Sequence, residues 1–299
     1  MGKRRKGRKD EKGVQAFCCR PFPRFPVAPF RPLLLPFPLF PSSRCVYILT
    51  ICVYLFSAVS AHAWGTLAHH VIAQVALRYI SPEAQAEIVN LLGTQSIIEV
   101  ATAADEWRSA RPETAPWHYV NIPFAASTYE ADRDCLHGDC IIAAIARYQA
   151  ILSSHSHSQA ARQEALIFLV HFIADIHQPL HCIDNHDRGG NDVAVSFFGV
   201  PTNLHAVWDS ELLHRTHLQE RAYEYRLMSW LATQNTGNLQ QGTPINWALE
   251  AHDLARQYAY QLPSDHNLRS GYYSANLPIV EAQLAKAAVR LAHLLNTAF

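Results

Sequence analysis

The 299-residue chain carries 25 Lys+Arg and 25 Asp+Glu, a formal net charge of zero that conceals two unlike parts. Residues 1–63 hold 11 basic residues against Asp10 and Glu11, whereas residues 64–299 hold 14 basic against 23 acidic, balances of +9 and −9. The acidic part is apolar enough to build a core, which excludes intrinsic disorder, and with Lys286 as its one lysine it excludes wrapping duplex DNA by charge alone.

Eight of the 17 prolines precede residue 42, in a basic, Pro/Phe-rich stretch longer than an ordinary n-region. Residues 1–44 read as a disordered tail or as upstream sequence translated from too early a start, and no function attaches to them. After Arg44, residues 46–60 are apolar and lead into Ala61-His62-Ala63. That order is a secretory signal over residues 44–63 with cleavage after Ala63. A membrane anchor is the alternative, but the run is short of the roughly 20 residues a span needs. The expectation is export, to the periplasm or medium, with no permanent anchor. The remaining 64–299 is taken as one domain, within the usual size range.

That domain is predicted all-α with a minor β-hairpin. Residues 64–79 have helical spacing of Leu67, Val71 and Val75, and Ser81-Pro82-Glu83 supplies an N-cap, an N1 proline and an acidic first turn for the next helix. Helices follow over residues 97–108, 141–153 and 163–176, the last stopped by Pro179. A polar, glycine-containing loop over 184–192 leads to the only strand signal, 193–198, with Gly199 as a turn. Helices resume at His205, broken by polar loops at 234–244 and 263–270, and residues 281–295 are amphipathic. Beyond the leader three cysteines remain. Cys135 and Cys140 would pair in an oxidising compartment and stay reduced in a cytosolic one; Cys182 is odd. No Asn-x-Ser/Thr sequon occurs.

Polar residues on apolar helices carry the chemistry. His171 and Asp175 in FLVHFIADIHQPLH lie four apart, hence on one helix face, among Phe168, Leu169, Val170, Phe172 and Ile173. Such groups must satisfy each other or something bound. His205 and Asp209 repeat the spacing in HAVWD, and His181 follows the Pro179 helix stop. Each pair alone is better explained by a core hydrogen bond; two pairs with His181 in an exported helical protein read as zinc ligands. Cleavage after Ala63 would leave Trp64 with a free α-amine, which with its own carbonyl can close a chelate ring, and His69 lies just beyond one helical turn further on. The alternative is a packed N-terminal aromatic with His69 on the surface.

WGTLAHH, AADEWR, WHYV, FLVHFIADIHQPLH, GGND and NLHAVWD occur in the order seen in the S1/P1 nucleases, the single-strand-specific zinc nucleases, and the chain resembles that family over residues 64–212. The resemblance implies an all-α fold of the phospholipase C type with three Zn²⁺ at the base of a cleft. It assigns Asp105, His118, His171 and Asp175 to the first zinc; Trp64, His69 and the shared Asp175 to the second; and His181, His205 and Asp209 to the third. It also gives Asp105 the orienting of a zinc-activated water and Arg108 the steadying of the transition state, and it matches Cys135–Cys140 to a family disulfide. Tyr119 replaces a frequent Phe as a stacking platform, Asn121 stands where fungal relatives have a base-reading Asp, and Arg188 aligns loosely with a base-contacting position.

The expected activity is hydrolysis of single-stranded DNA and RNA, with 3′-nucleotidase activity, and no stable protein partner is implied. The alternative is a phospholipase C-like phosphodiesterase acting on lipid headgroups, which would resemble His-x-x-x-Glu where this chain has His205-x-x-x-Asp209. A non-catalytic zinc-binding protein is the third reading, against which Asp105 and Arg108 argue.

Overall fold

The computed structural model describes residues 64–299, so the proposed extension, signal and cleavage point lie outside the described residues. Helix α1 spans Thr66–Leu77 and α2 Pro82–Leu92; Ser81 caps α2 as anticipated, its Oγ accepting from the Ala84 N–H at 3.1 Å. The helix expected over 97–108 is shorter, α3 running only Ala103–Arg108. A continuous helix would direct the Ala101 carbonyl to the Asp105 N–H. That carbonyl instead receives the His171 side chain, and the Asp105 N–H turns to Thr102. A side chain outcompetes the helix for one acceptor, and the first turns stay irregular.

Helix α4 covers Ile141–Ser153 and packs along α5, Gln159–Asp175, whose Ser158 side chain caps it. Residues 165–175 of α5 are all buried, apolar on nearly every side, as expected of a helix at the centre of a fold. Phe168 and Phe172 stack at 5.1 Å, and Phe168 also stacks on Tyr148 of α4 at 4.6 Å. The hairpin forms as predicted: β1 (Ala194–Phe197) and β2 (Val200–Asn203) pair antiparallel, Val195 opposite Thr202. A third strand, β3 (Asn267–Leu268), joins β1 in parallel from a segment read as a polar loop. Two residues are too few for a periodicity to register.

Helix α6 (Glu220–Leu231), α7 (Pro244–Leu254) and the long α8 (Ser270–Ala298) complete the domain. Helix α8 lies on α1, α5 and α6 through Leu277, Val280, Leu284, Ala288, Leu291 and Leu295. Two turns are π-helical, Val207–Glu211 and Ala255–Ala259, the second continuing α7. Among the described residues no helix is long and apolar enough to cross a membrane.

Candidate metal centre and cleft

Helix α5 delivers His171 and Asp175 from one face into the core, both fully buried. The His171 Nδ1–H donates to the Ala101 carbonyl at 2.7 Å, leaving Nε2 3.1 Å from Asp175 Oδ2 and 3.7 Å from Asp105 Oδ1. His118 closes a short 3₁₀ turn (Pro112–His118), with Nδ1 3.0 Å from Asp175 Oδ2 and 3.7 Å from Asp105 Oδ1. From α1, His69 stacks on His171 at 4.2 Å and brings Nε2 to 3.3 Å from Asp175 Oδ1. A few ångströms of core thus unite four separate elements.

A second group completes the arrangement. His181 ends the turn Pro179–His181, and His205 and Asp209 come from the helical run that includes the first π turn. The His181 Nδ1–H donates to the His118 carbonyl at 2.8 Å and the His205 Nδ1–H to the Gly189 carbonyl at 2.7 Å. Their Nε2 atoms lie 3.9 and 3.3 Å from the two Asp209 oxygens, and the rings stack at 5.0 Å. Asp209 Oδ1 also accepts from the Gln178 side-chain N–H at 2.6 Å.

Three sets result, His69/His171/Asp175, Asp105/His118/His171 and His181/His205/Asp209, each with one donor atom per residue within 4.8 Å of the others. Two observations show that a metal fits them. His171, His181 and His205 each spend Nδ1 on a backbone carbonyl, which fixes the tautomer and aims Nε2 at the carboxylates, the outer-shell arrangement of metal-binding histidines. In addition, both His69 nitrogens, His118 Nε2 and Asp175 Oδ1 are buried without a hydrogen-bond partner. His69 Nε2 and Asp175 Oδ1 are close yet misaligned for a hydrogen bond, as two ligands of one ion would be.

The charges divide unevenly among these groups. Burial lowers His69 and His181 and holds His118 at about 4 and His205 at about 3, so these imidazoles are neutral, the form that binds metal. Burial also acts on His171, but the Asp175 and Asp105 charges overcome it and lift His171 to about 9. Asp175 stays well below the usual carboxylate range: burial opposes this, yet the His171 charge and hydrogen bonding by His118 and His171 prevail. Asp209 is pushed well above it by burial, which the Gln178 hydrogen bond only partly offsets.

Above the histidines opens a cavity of about 380 Å³. Its walls include Arg108, Tyr119, Asn121 and Arg188, so all four expected substrate-side residues come together. Tyr119 is 37 % exposed, a ring face available for stacking. Arg108 Nη1 lies 3.3 Å from Asp105 Oδ1 on the same helix. Sequence reading did not single out Asp184, His186 or Asn191 on the same walls, although Asn191 lies within the GGND motif. It also assigned no role to Gln178, although this residue lies within the FLVHFIADIHQPLH motif. His177, the middle histidine of the α5 motif, is not part of the sets: its Nδ1–H donates to the Ile173 carbonyl at 2.6 Å, and Nε2 accepts from Arg290 at 2.8 Å.

Trp64 is buried completely, its indole N–H donating to the Ala174 carbonyl at 2.8 Å, beside Asp175. The next N–H, of Gly65, donates to the Asp209 carbonyl at 3.0 Å. The Trp64 indole packs next to the carboxylates, and His69 is interior rather than on the surface as the packing-only alternative expected. Cys135 and Cys140 are disulfide-bonded. Cys182 is a buried thiol donating to the Ile176 carbonyl at 3.4 Å, and burial pushes its pKa up, so it is an inert packed group.

A family model described as S1/P1 Nuclease matches residues 64–299. Endonuclease 2 of Arabidopsis thaliana is 31% identical over 282 residues, covering 85% of this chain and 97% of its own length. Nuclease P1 of Penicillium citrinum is 31% identical over 263 residues (78% and 97%), and Nuclease S1 of Aspergillus oryzae 31% over 268 (77% and 90%).

Proposed function

The chain belongs to the S1/P1 nuclease family, and on that premise we propose that it is an exported, zinc-dependent endonuclease. It hydrolyses phosphodiester bonds of single-stranded DNA and RNA and removes phosphate from 3′-nucleotides, and residues 64–299 form the working domain. The carrying observation is the convergence of Nε2 atoms on three buried carboxylates, with each tethered imidazole locked through Nδ1 to a carbonyl.

Three Zn²⁺ would be held by Asp105, His118, His171 and Asp175; by His69, Asp175 and the α-amine and carbonyl of Trp64; and by His181, His205 and Asp209. Zinc supplies an activated water and a Lewis acid for phosphoryl oxygens, which a repulsive phosphodiester anion requires. The protein's own contribution is positional. Asp105, buried beside the cleft and close to His118 and His171, accepts a hydrogen bond from the attacking water and directs it. Arg108, on the cavity wall, donates charge-assisted hydrogen bonds to the equatorial oxygens. Tyr119 stacks one base and Asn121 offers it both a donor and an acceptor. Duplex is a poor substrate, because a paired base cannot swing onto Tyr119 and an acidic surface offers no compensating backbone grip.

The test is a purified protein beginning at Trp64, assayed on denatured and duplex DNA, RNA, 3′-AMP and phosphatidylcholine, with EDTA and with zinc restored. Cleavage of single strands and 3′-AMP that EDTA abolishes and zinc recovers is expected. Full activity in EDTA with added magnesium overturns the zinc assignment, and turnover confined to phosphatidylcholine overturns the nuclease one.

A further inference from the structure

The loop between His181 and β1 contains a peptide group held from both sides. The His205 Nδ1–H donates to the Gly189 carbonyl at 2.7 Å, and the Gly190 N–H donates to Asp187 Oδ1 at 2.9 Å. Carbonyl 189 and amide 190 belong to one planar unit, so whatever fixes the amide edge fixes the carbonyl edge. Asp187 is buried, and the same Oδ1 accepts a second hydrogen bond, 2.9 Å, from the Tyr260 hydroxyl. Tyr260 follows the π turn Ala255–Ala259 and packs edge-on against Phe124 at 5.4 Å. At φ +61° Gly189 tolerates no side chain, since a Cβ would strike the Leu180 carbonyl oxygen. The peptide is therefore confined by backbone on one side and gripped by a carboxylate on the other.

We propose that Tyr260 and Asp187 are a positioning pair: through the Gly189–Gly190 peptide they set the orientation and tautomer of His205 and so govern metal affinity at the His181/His205/Asp209 set alone. The inference rests on the metal reading above. Neither residue borders the other two sets, and neither is a ligand. The hydrogen bonds converge on Asp187: the imidazole donates to the peptide carbonyl, the peptide N–H donates to Asp187 Oδ1, and the Tyr260 hydroxyl donates to the same oxygen, so the end of α7 is connected to a site on the far side of the loop. The loop also presents Arg188 and Asn191 to the cavity, so the same grip holds part of the substrate wall.

The experiment is zinc retention against a graded competing chelator, read as ions per chain, for wild type, Tyr260→Phe, Asp187→Ala and Asp187→Asn. Outer-shell partners of this kind change metal affinity about 10- to 100-fold. One of three ions should be lost at roughly tenfold lower chelator in Tyr260→Phe and at up to about a hundredfold lower in Asp187→Ala, with the other two unmoved. Asp187→Asn keeps an acceptor at Oδ1 and should recover most of the loss. Tyr223→Phe, which removes a buried hydroxyl bonded to the Leu213 carbonyl instead, should change nothing. On a His205→Ala background, which already lacks that ion, Asp187→Ala should be silent. Equal weakening of all three ions marks a merely structural role and overturns the proposal, as does unchanged retention. Wild type without zinc overturns the metal reading itself, a result distinct from a three-zinc wild type matched by its variants.

Discussion

Asp175→Asn is the most informative single change, because Asp175 is the carboxylate shared by two of the three proposed zinc sites. Its Oδ1 faces His69 at 3.3 Å while Oδ2 faces His118 at 3.0 Å and His171 at 3.1 Å, all without solvent. Asparagine keeps the volume but turns an NH₂ toward one side, so one set loses its acceptor and both lose the charge. Zinc content should fall from three per chain to one, that of the His181/His205/Asp209 set, whose carboxylate is Asp209. Stability of the stripped protein should fall as well. His171, lifted to about 9 against its burial, would lose the nearest of its two counter-charges. Removing one partner of a buried pair costs about 3–5 kcal/mol, and Asp105 at 3.7 Å retains part of the attraction, which favours the lower end. At about 2–4 °C per kcal/mol for a domain of this size, the melting temperature should drop by about 6–12 °C in chelator at pH 7. The assays are elemental zinc per chain and thermal unfolding with and without EDTA. Three zinc ions in the variant, or a stripped protein melting within about 2 °C of wild type, would refute the placing of Asp175 at the joint.

Away from the centre, burial opposes the charge on Glu250, yet Arg290 and Lys286 hold it at about 2 against an ordinary 4.5. A depressed carboxyl stabilises fully above its unfolded value and loses that contribution as pH falls from 4.5 toward 2. The shift is worth about 3 kcal/mol, so Glu250→Gln should melt about 6–12 °C below wild type at pH 6 in chelator and approach it near pH 2.5; equal melting at pH 6 would contradict the reading. Two residues added before Trp64 replace its amine by an amide, so one zinc and most activity should be lost; unchanged zinc and rate would leave Trp64 as packing alone. Arg108→Ala should lower kcat by about 10²–10³ with zinc content intact, the scale of losing one transition-state donor, whereas a loss of metal would assign Arg108 to holding Asp105.

What the sequence made legible follows from helical geometry. His171–Asp175 and His205–Asp209 announce themselves because four residues return a helix to the same face. Asp105 and His118 stand in a six-residue helix and a 3₁₀ turn, too short for any period, and only the family motifs indicated them. Asp187 and Tyr260 were invisible for another reason: they meet through a hydroxyl across 73 positions, a contact no local pattern encodes. The irregular stretch before α3 was misread because the competing donor, His171, lies 70 positions away.

Trp64 and Gly65 have a bearing on how the molecule assembles. The first is hydrogen-bonded to Ala174, 110 positions on, and the second to Asp209, farther still. Contacts of such separation close large loops, whose entropy must be met before the contact gives anything back, and they form slowly. During synthesis the segment that begins the domain has no seat until α5 exists, and none beside Asp209 until the chain has passed the hairpin. The earliest residues to appear are thus among the last to settle, and His69, four positions beyond Gly65, waits with them. On the zinc reading, metal uptake at that set should be a late event in folding, and the rate at which zinc becomes chelator-resistant during refolding should measure closure of these large loops rather than growth of the helices.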